Sequence, residues 1–453
     1  MANVFKKKSL QQQETEDVIV AQNAEIDPET AFKKASQKRK RHAIFGLVGL
    51  IIVESLAITG FSENVDYDEL QVRTARETEI RRTGQIQLTE GIYQGATDFG
   101  YFQGKGKFLF STGSEYDGEW TSNQMEGNGT LEVPVEGVYE GAFKNSKKNG
   151  QGTFSWNDGT VYTGEWKDDQ MCGQGEYTTP EHVVYSGTFQ DNSLQEGTCD
   201  FTNSTGTYSI AYKNGMVDHA SIQYADGATY DGECNNEGLN GNGTMKFVNG
   251  DVYKGIFQND FRVRAGTYTW KNGDVYNGSW LDDQMSGTGT YTYANGSYVK
   301  GTFSKNMFIK GSYHVENDFG TYEFTVTDGR PTQVEMTLKN GTIYNGEMTN
   351  EKLTGKAQIQ YSNGDQYNGN VANGQKSGGG TYTWNDGASY EGAWENDQMS
   401  GDGVYYYSTD EDGYKLEGTF KEGKPSGECQ YYTDSTTKYK TDWSDGKCVK
   451  IYE

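Results

Sequence analysis

Short segments in which apolar and polar residues alternate are the main pattern of the chain from residue 93 onward. Residues 162–166 read Tyr-Thr-Gly-Glu-Trp, so the tyrosine, the glycine and the tryptophan point to one face of a predicted strand. A polar stretch at 167–170 then predicts a turn, and a second strand carries Met171 and Tyr177. The pair predicts a β-hairpin whose glycines leave room for large rings of neighbouring strands. A core this thin is stable only when the hairpin packs against its neighbours.

The hairpin pattern recurs at a nearly constant interval. Sixteen units follow one another in steps of 23 residues, apart from two steps of 22 and one of 26. The units begin at Tyr93, Tyr116, Tyr139, Tyr162, Tyr185, Tyr208, Tyr230, Tyr253, Tyr276, Val299, Tyr322, Tyr344, Tyr367, Tyr390, Leu416 and Tyr439. Repetition at this length predicts an array of stacked hairpins. We therefore expect an all-β fold over 90–453, an elongated single-sheet ribbon of about sixteen antiparallel hairpins.

The 23-residue units are themselves grouped by a second, longer repeat. The segment Asp/Asn-Asp-Gln-Met begins at 168, 282 and 396, an interval of 114 residues, or five units. Two units that lack the usual glycine recur at the same interval and carry Ile210 and Phe324 in its place. Because a larger side chain cannot be covered in the same way, we expect a change of sheet twist or direction there. The array is interpreted as a leading unit, 93–115, and three modules, 116–229, 230–343 and 344–453.

The N-terminal part of the chain has a different character. Residues 43–61 are mostly apolar and contain one charged residue, Glu54, which predicts a transmembrane helix near the short end of the allowed range. Six Lys and Arg residues between 33 and 41 precede it, and four acidic residues between 63 and 69 follow it. This asymmetry predicts a single-pass membrane protein with a cytoplasmic N-terminus and the array outside the cytoplasm. A cleaved signal peptide and a buried helix of a soluble protein are the alternatives.

The flanking segments of the predicted helix are assigned from their composition. Residues 1–42 are polar and basic, and we interpret them as a largely disordered cytoplasmic tail. Residues 62–89 mix arginine and glutamate at helical spacing, and we interpret them as a short helical or extended spacer.

Composition and charge narrow the classes of function. The chain has 60 Gly, 33 Tyr, 20 Phe and 8 Trp among 453 residues but only 5 Pro, which favours many short strands and turns over helical bundles. The net charge is +3 in residues 1–42 and −27 in the remainder. An acidic body of this kind repels nucleic acid and anionic lipid headgroups, so neither is expected as a general partner.

The sequence contains no predicted catalytic, cofactor or metal site. The four histidines, His42, His182, His219 and His314, are too scattered for a triad or a metal centre. The Gly-x-Gly pairs lack the helix and the Lys-Ser/Thr of phosphate loops. Paired acids such as Asp168 and Asp169 lack the ligand spacing of a calcium site and are interpreted as solvated turns. We therefore expect a protein that is not an enzyme.

Two groups of residues leave alternatives open. Cys429 and Cys448 lie in adjacent C-terminal hairpins and could form a disulfide if the array is exported, or all five cysteines could be free. Aromatic residues beyond the repeat pattern could stack on a polysaccharide, although structural use is the stronger interpretation. These are residues 405–407, 431, 432, 291 and 293, all tyrosines.

The repeat motif resembles that of the MORN repeat family, whose units of about 23 residues combine Tyr-x-Gly-x-Trp with Gly-x-Gly. The resemblance covers 93–453. The residues that carry it are Tyr116, Gly118, Trp120, Gly127 and Gly129, then Tyr162, Gly164 and Trp166, Tyr276, Gly278 and Trp280, and Tyr390, Gly392 and Trp394. It implies an elongated antiparallel sheet of hairpins and roles in membrane attachment, tethering or scaffolding.

The leading functional hypothesis is a membrane-anchored scaffold or tether at the cell envelope that binds protein partners or a second copy of itself. An extracytoplasmic protein that binds cell-wall polysaccharide is the first alternative. An array that binds membrane lipid is the second, and the acidic charge argues against it for anionic headgroups.

Overall fold

The computed structural model describes residues 76, 79–81, 83–408 and 414–452. The predicted tail and transmembrane helix, 1–42 and 43–61, lie outside these residues, as does much of the spacer. Within the described ranges, no helix is long and apolar enough to cross a membrane. Described residues up to Phe261 form one compact unit, here the first part, and those from Arg262 form another, the second part.

The described residues contain 33 strands, which confirms the predicted all-β class. The strands up to Gln258 are β1 Ile86–Gln87, β2 Gly91–Asp98, β3 Tyr101–Phe110, β4 Glu115–Thr121, β5 Gln124–Val133, β6 Gly137–Lys144, β7 Lys147–Trp156, β8 Val161–Lys167, β9 Gln170–Thr178, β10 Val184–Gln190, β11 Ser193–Asn203, β12 Gly206–Lys213, β13 Met216–Tyr224, β14 Thr229–Asn235, β15 Gly238–Lys246 and β16 Val252–Gln258.

The remaining strands are β17 Phe261–Thr269, β18 Val275–Leu281, β19 Gln284–Thr292, β20 Tyr298–Ser304, β21 Met307–Asn317, β22 Gly320–Thr327, β23 Arg330–Leu338, β24 Ile343–Thr349, β25 Lys352–Gln360, β26 Gln366–Ala372, β27 Gln375–Thr383, β28 Ser389–Glu395, β29 Gln398–Tyr406, β30 Lys415–Lys421, β31 Lys424–Tyr432, β32 Lys438–Ser444 and β33 Lys447–Ile451.

Within each part, every strand pairs antiparallel with the next strand in the chain. The sixteen repeat units of the sequence each supply two of the strands from β2 to β33, as predicted. The elongated form, the three modules and the change of twist near Tyr208 and Tyr322 stay predictions.

The core of a regular hairpin is a tyrosine ring lying over two glycines. Gly369 and Gly380 are cross-strand partners, and the ring of Tyr367, two residues before Gly369 on the same strand, covers both. The Tyr367 hydroxyl donates to the carbonyl of Asn370 at 2.7 Å, which fixes the ring in this position. The sequence interpretation assigned the covering ring to a neighbouring strand, but the ring belongs to the same strand as the first glycine of the pair. The same arrangement occurs around Tyr93, Tyr116, Tyr139, Tyr162, Tyr230, Tyr276 and Tyr390.

The hairpins that lack the motif glycine have a different core. The Tyr208 hydroxyl forms a hydrogen bond with Thr205 Oγ1, three residues earlier in the chain, at 2.6 Å. The hydroxyl of a regular tyrosine instead donates to the carbonyl three residues later. Ile210, fully buried, pairs with the buried Ala220 where a regular hairpin has its two glycines. An apolar side chain thus fills the space that the tyrosine ring occupies elsewhere.

The turn between the two strands of a hairpin also links it to the preceding hairpin. Both central residues of the turn have positive φ, as at Asp168 (51°) and Asp169 (71°), so they form the mirror-image turn that suits twisted antiparallel strands. Asp169 Oδ1 accepts the backbone N–H of Lys148, 21 residues earlier, at 2.9 Å. Asp169 therefore acts as a structural acceptor, which corrects its interpretation as part of a solvated turn. Equivalent acceptors are Asn123, Ser146, Asn192, Asp260, Asp283, Asn306 and Asp397.

The possible disulfide between Cys429 and Cys448 is absent. Both are free thiols, Cys429 buried and Cys448 exposed. They lie on β31 and β33, so β32 separates them by two strand spacings, or about 10 Å. A disulfide needs Cα atoms within about 7 Å. The strand that separates them is the first strand of the repeat unit that begins at Tyr439.

Two of the three consecutive glycines of β27, Gly379 and Gly380, test the tyrosine-on-glycine core. We expect Gly380→Ala to destabilise its hairpin by roughly 1–3 kcal/mol, because the added methyl group would lie within 2.7 Å of Cε2 and Cζ of Tyr367. Gly379→Ala is the matched control, since a methyl group there meets no atom within 4 Å. Urea unfolding and amide hydrogen exchange over 366–383 measure both. Equal loss of protection in the two variants would contradict the proposed core.

Candidate functional site: aromatic rows and buried cations

The predicted motif residues lie in the hairpin core. The motif tyrosines and tryptophans are at most 6% exposed, so they are unavailable to a ligand. The tryptophan instead joins neighbouring hairpins, since Trp166 Nε1 donates to the carbonyl of Gly152 at 3.2 Å. The other motif tryptophans, Trp120, Trp280 and Trp394, make the same bond to Gly106, Gly266 and Gly380.

The two glycines of Gly-x-Gly have different functions, which the sequence interpretation did not separate. The second, such as Gly175, lies beneath the tyrosine ring. The first, Gly173, has φ 54° and lies at a bulge, where the strand pairing shifts between Gly164 and Glu165. Glu165 Oε1 accepts the N–H of Gln174 in this bulge at 3.2 Å, which accounts for the glutamate of the motif. Equivalent glutamates are Glu233 and Glu347.

Beside this core, further aromatic side chains form three rows in which each ring contacts the next. Centroid separations between successive rings are 4.4–6.3 Å, and their planes are inclined by 47–82°. Row 1 is Phe154, Trp156, Tyr177 and Tyr185; row 2 is Tyr268, Trp270, Tyr291, Tyr293 and Tyr313; row 3 is Tyr382, Trp384, Tyr405, Tyr407 and Tyr431. In rows 2 and 3 the rings come from every second strand or from the residues directly after it: β17, β19 and β21 in row 2, and β27, β29 and β31 in row 3.

The first three rings of each row are equivalent by sequence interval. Trp156, Trp270 and Trp384 are spaced by 114 residues, and each is half-buried. Five tyrosines singled out in the sequence lie in rows 2 and 3, but Tyr406 and Tyr432 do not belong to them. Tyr291 is buried and donates to Asp274 at 2.7 Å, which shows that part of each row is structural. The half-buried rings are the part that remains accessible to a partner.

A buried cation lies against the first ring of each row. Lys148, Arg262 and Lys376 are at most 5% exposed and are again spaced by 114 residues. The Nζ atom of Lys148 is 4.7 Å from the ring centroid of Phe154 and 4.6 Å from that of Trp166. This geometry is that of a cation–π contact.

The other two cations have the same surroundings. Arg262 Cζ lies 5.2 Å from the ring centroid of Tyr268 and 4.6 Å from that of Trp280. Lys376 Nζ lies 5.3 Å and 5.1 Å from the centroids of Tyr382 and Trp394.

Each buried cation has an aspartate at the turn position 21 residues later. Arg262 Nε donates to Asp283 Oδ1 at 3.1 Å, and Lys376 Nζ is 3.5 Å from Asp397 Oδ1. Burial lowers the pKa of Lys148 to about 8 against the opposing charges of Asp169 and Glu136. Burial also raises the pKa of Asp169, opposed by its bond from the Lys148 N–H.

The sequence patterns used above did not single out Lys148, Arg262 and Lys376, although a charged residue is unusual at their position in the hairpin. They occupy a place that most hairpins fill with methionine, leucine or phenylalanine, as at Met125 and Met171. Within the described residues, no group of three or more His, Cys, Asp and Glu side chains could hold a metal ion.

The charges of Lys148 and Asp169 can be tested by substitution. We expect Asp169→Asn to cost roughly 1–3 kcal/mol of unfolding free energy, because the buried ammonium group of Lys148 loses the opposing charge of Asp169 while the bond from its backbone N–H can still form. The double variant Lys148→Met, Asp169→Asn reproduces the Met171–Asn192 combination of the next hairpin, so its stability should be close to that of the unchanged protein. Urea unfolding compares the two. If the double variant is the less stable, the two residues do not act as a compensating charge pair.

Comparison with known proteins identifies the repeat. The MORN repeat profile matches ten segments: 93–115, 116–132, 139–161, 162–182, 236–252, 253–275, 276–298, 367–389, 390–410 and 417–437. The segments 183–235 and 299–366 are unmatched, and they contain the hairpins of Tyr208 and Tyr322 that lack the motif glycine. No curated protein matches the chain.

Two solved structures show only weak similarity. The SAS-4 (dCPAP) TCP domain of Drosophila melanogaster, in complex with a proline-rich motif of Ana2 (dSTIL), is 13% identical over 41% of this chain and 82% of that chain, with a TM-score of 0.17. A streptogramin B lyase structure is 13% identical over 68% of this chain and 83% of that chain, with a TM-score of 0.10. Neither similarity bears on the fold or the function. The repeat profile matches ten segments of the chain, and each repeat unit forms two strands, as the resemblance implied. The chain belongs to the MORN repeat family.

Proposed function

We propose that the protein is a non-enzymatic scaffold, held in the cell membrane by residues 43–61, that presents its hairpin array outside the cytoplasm to protein partners. MORN repeats indicate interaction with proteins or membranes as the general class of function. The observation that carries the finer proposal is the set of half-buried rings in rows 1 to 3. Aromatic side chains that are already packed supply large contact areas at low entropic cost, and they are enriched where proteins bind one another.

The geometry of the rows favours a protein over a polysaccharide. Successive rings are inclined by at least 47°, so they do not form a flat series on which sugar rings could stack one after another. Inclined rings offer edges and gaps that suit apolar side chains of a protein. The net charge of −27 outside the tail disfavours anionic lipid surfaces as the alternative partner of the array.

The repetition of the rows supports a scaffold with several binding sites. Three equivalent rows in one chain allow one partner molecule with repeated sites, or several separate molecules, to bind. Linked sites raise the overall affinity because each later contact forms at high effective concentration. Binding of protein partners to the rows requires neither a deep cavity nor a catalytic group.

The proposed topology has a direct test. Protease added to intact cells, after removal of any wall barrier, should digest 90–453 and spare a tag at the N-terminus, because the basic flank at 33–41 favours a cytoplasmic tail. A cytoplasmic protein of the same cells serves as the integrity control. An array that stays intact while an exposed surface protein is cleaved would refute the topology.

The proposed binding surface is tested by removing the three equivalent tryptophans of the rows. We expect the combined variant Trp156→Ala, Trp270→Ala, Trp384→Ala to lose roughly tenfold or more of its crosslinked protein partners, as for interface hot spots. Tyr406→Ala is the control, since Tyr406 is 38% exposed and follows the row residue Tyr405, so its side chain lies on the other face of β29. Crosslinking in intact cells with quantitative mass spectrometry measures both, and hydrogen exchange verifies folding. The same partners at the same level in both variants would exclude the rows as the binding surface.

A further inference from the structure

Lys376 and Asp397 are held together by three contacts. The backbone N–H of Lys376 donates to Asp397 Oδ1 at 2.8 Å, and the backbone N–H of Asp397 donates to the Lys376 carbonyl at 3.1 Å. The Nζ atom of Lys376 lies 3.5 Å from the same Oδ1. An amine nitrogen is thus kept beside a carboxyl group by backbone hydrogen bonds that both hairpins already need.

The surroundings of this pair are apolar and exclude water from the amine. Lys376 is 4% exposed, and four rings lie within 5.8 Å of Nζ. Burial lowers the pKa of Lys376, opposed by the charge and the hydrogen bond of Asp397. A dry site favours the uncharged amine and the uncharged acid over two separated charges, because each buried ion loses its hydration.

We propose that Lys376 and Asp397 condense spontaneously in the folded protein to form an amide cross-link between adjacent hairpins. A proton moves from the Lys376 ammonium to the Asp397 carboxylate, which leaves an amine and a carboxylic acid. The Nζ lone pair attacks Asp397 Cγ and a C–N bond forms. The C–O bond to the hydroxyl group then breaks, and the hydroxyl leaves with one amine proton as water. No oxidant, reductant or further reactant is consumed.

Two features of the site assist this reaction. The fixed proximity replaces a bimolecular encounter, which is the largest obstacle to amide formation in dilute solution. The Lys376 N–H points at Oδ1, the oxygen on which negative charge develops as the nitrogen attacks, and it stabilises that charge as an oxyanion donor. The side chain of Asp397 is 27% exposed, so the released water has a path to solvent.

The equivalent site in the same chain provides a natural reference that cannot react in this way. Arg262 and Asp283 make the same backbone contact, at 2.9 Å, with Arg262 Nε 3.1 Å from Oδ1. A guanidinium stays protonated and is a poor nucleophile, so this pair remains an ion pair.

Mass spectrometry of the purified full chain tests the cross-link. We expect the mass to be lower than that of the sequence by one water molecule. Tryptic digestion after denaturation should give one branched peptide that joins Lys376 to Asp397, with no cleavage after Lys376. A linked fraction that increases while freshly folded protein is incubated also supports the proposal. Separate, unmodified peptides around both residues after prolonged incubation would overturn it.

The variant Lys376→Arg is the matched control because it copies the Arg262–Asp283 pair. It should keep the full mass and lose the branched peptide, and its hydrogen exchange should stay close to that of the unchanged protein. A water loss that persists in this variant would place the modification elsewhere and refute the assignment. The mass of the unchanged chain decides the question even if a variant fails to fold.

Discussion

The packing of one tyrosine ring on two facing glycines is the contact on which the hairpins depend. A sheet with a single layer has no second layer to cover its apolar face, so each strand pair must bury that face with its own side chains. The tyrosine does so by lying flat along its strand, with its hydroxyl bonded to the carbonyl three residues later, as Tyr367 is to Asn370. Any side chain on either glycine would occupy the position of the ring. The high glycine content of the chain is therefore a consequence of its aromatic core.

A hairpin of this kind is joined to its neighbours by polar contacts as much as by the sheet. The turn residue at the position of Asp169 accepts an N–H of the preceding hairpin, and the tryptophan at the position of Trp166 donates to one of its carbonyls. Both bonds satisfy backbone groups at places where the strand pairing is irregular. The core and the contacts between hairpins thus use different residues of the same motif. The hairpin of Tyr208 lacks both of these side chains as well, with Tyr212 and Gly215 at the two positions, and its turn is joined to the preceding hairpin by the Gly215 N–H, which donates to the carbonyl of Gln195 at 3.0 Å.

The sequence predicted the repeat and its strands because alternation and fixed spacing are local properties. The turn at 168–169, the strands on either side and the burial of Tyr162 follow directly from residue order. The bulge at Gly173 could not be derived, because it depends on the register between the two strands of its hairpin. The acceptor function of Asp169 could not be derived either, because it depends on a contact with Lys148, 21 residues earlier. Of the two alternatives for Cys429 and Cys448, the disulfide was wrong, because the first strand of the last repeat unit, β32, lies between them. Lys148, Arg262 and Lys376 were detectable, since a charge at a place that most hairpins fill with methionine, leucine or phenylalanine is a local anomaly that recurs.

The buried charge pairs also address a problem that every array of near-identical hairpins has. Hairpins that share one motif could pair in a register shifted by a whole unit, because the backbone contacts would be the same. A shift of 23 residues would place a buried lysine opposite a neutral turn residue such as Asn192, and would place Asp169 opposite a methionine. An unpaired buried charge costs several kcal/mol, whereas the native pairing gives each of these three cations an aspartate. A shift of 114 residues would again match cations with aspartates, whereas a shift of 23 residues would match at most one cation, Arg262 opposite Asp260. The pairs at Lys148, Arg262 and Lys376 therefore mark the correct register at intervals of five hairpins, which regular tyrosine–glycine packing alone cannot do.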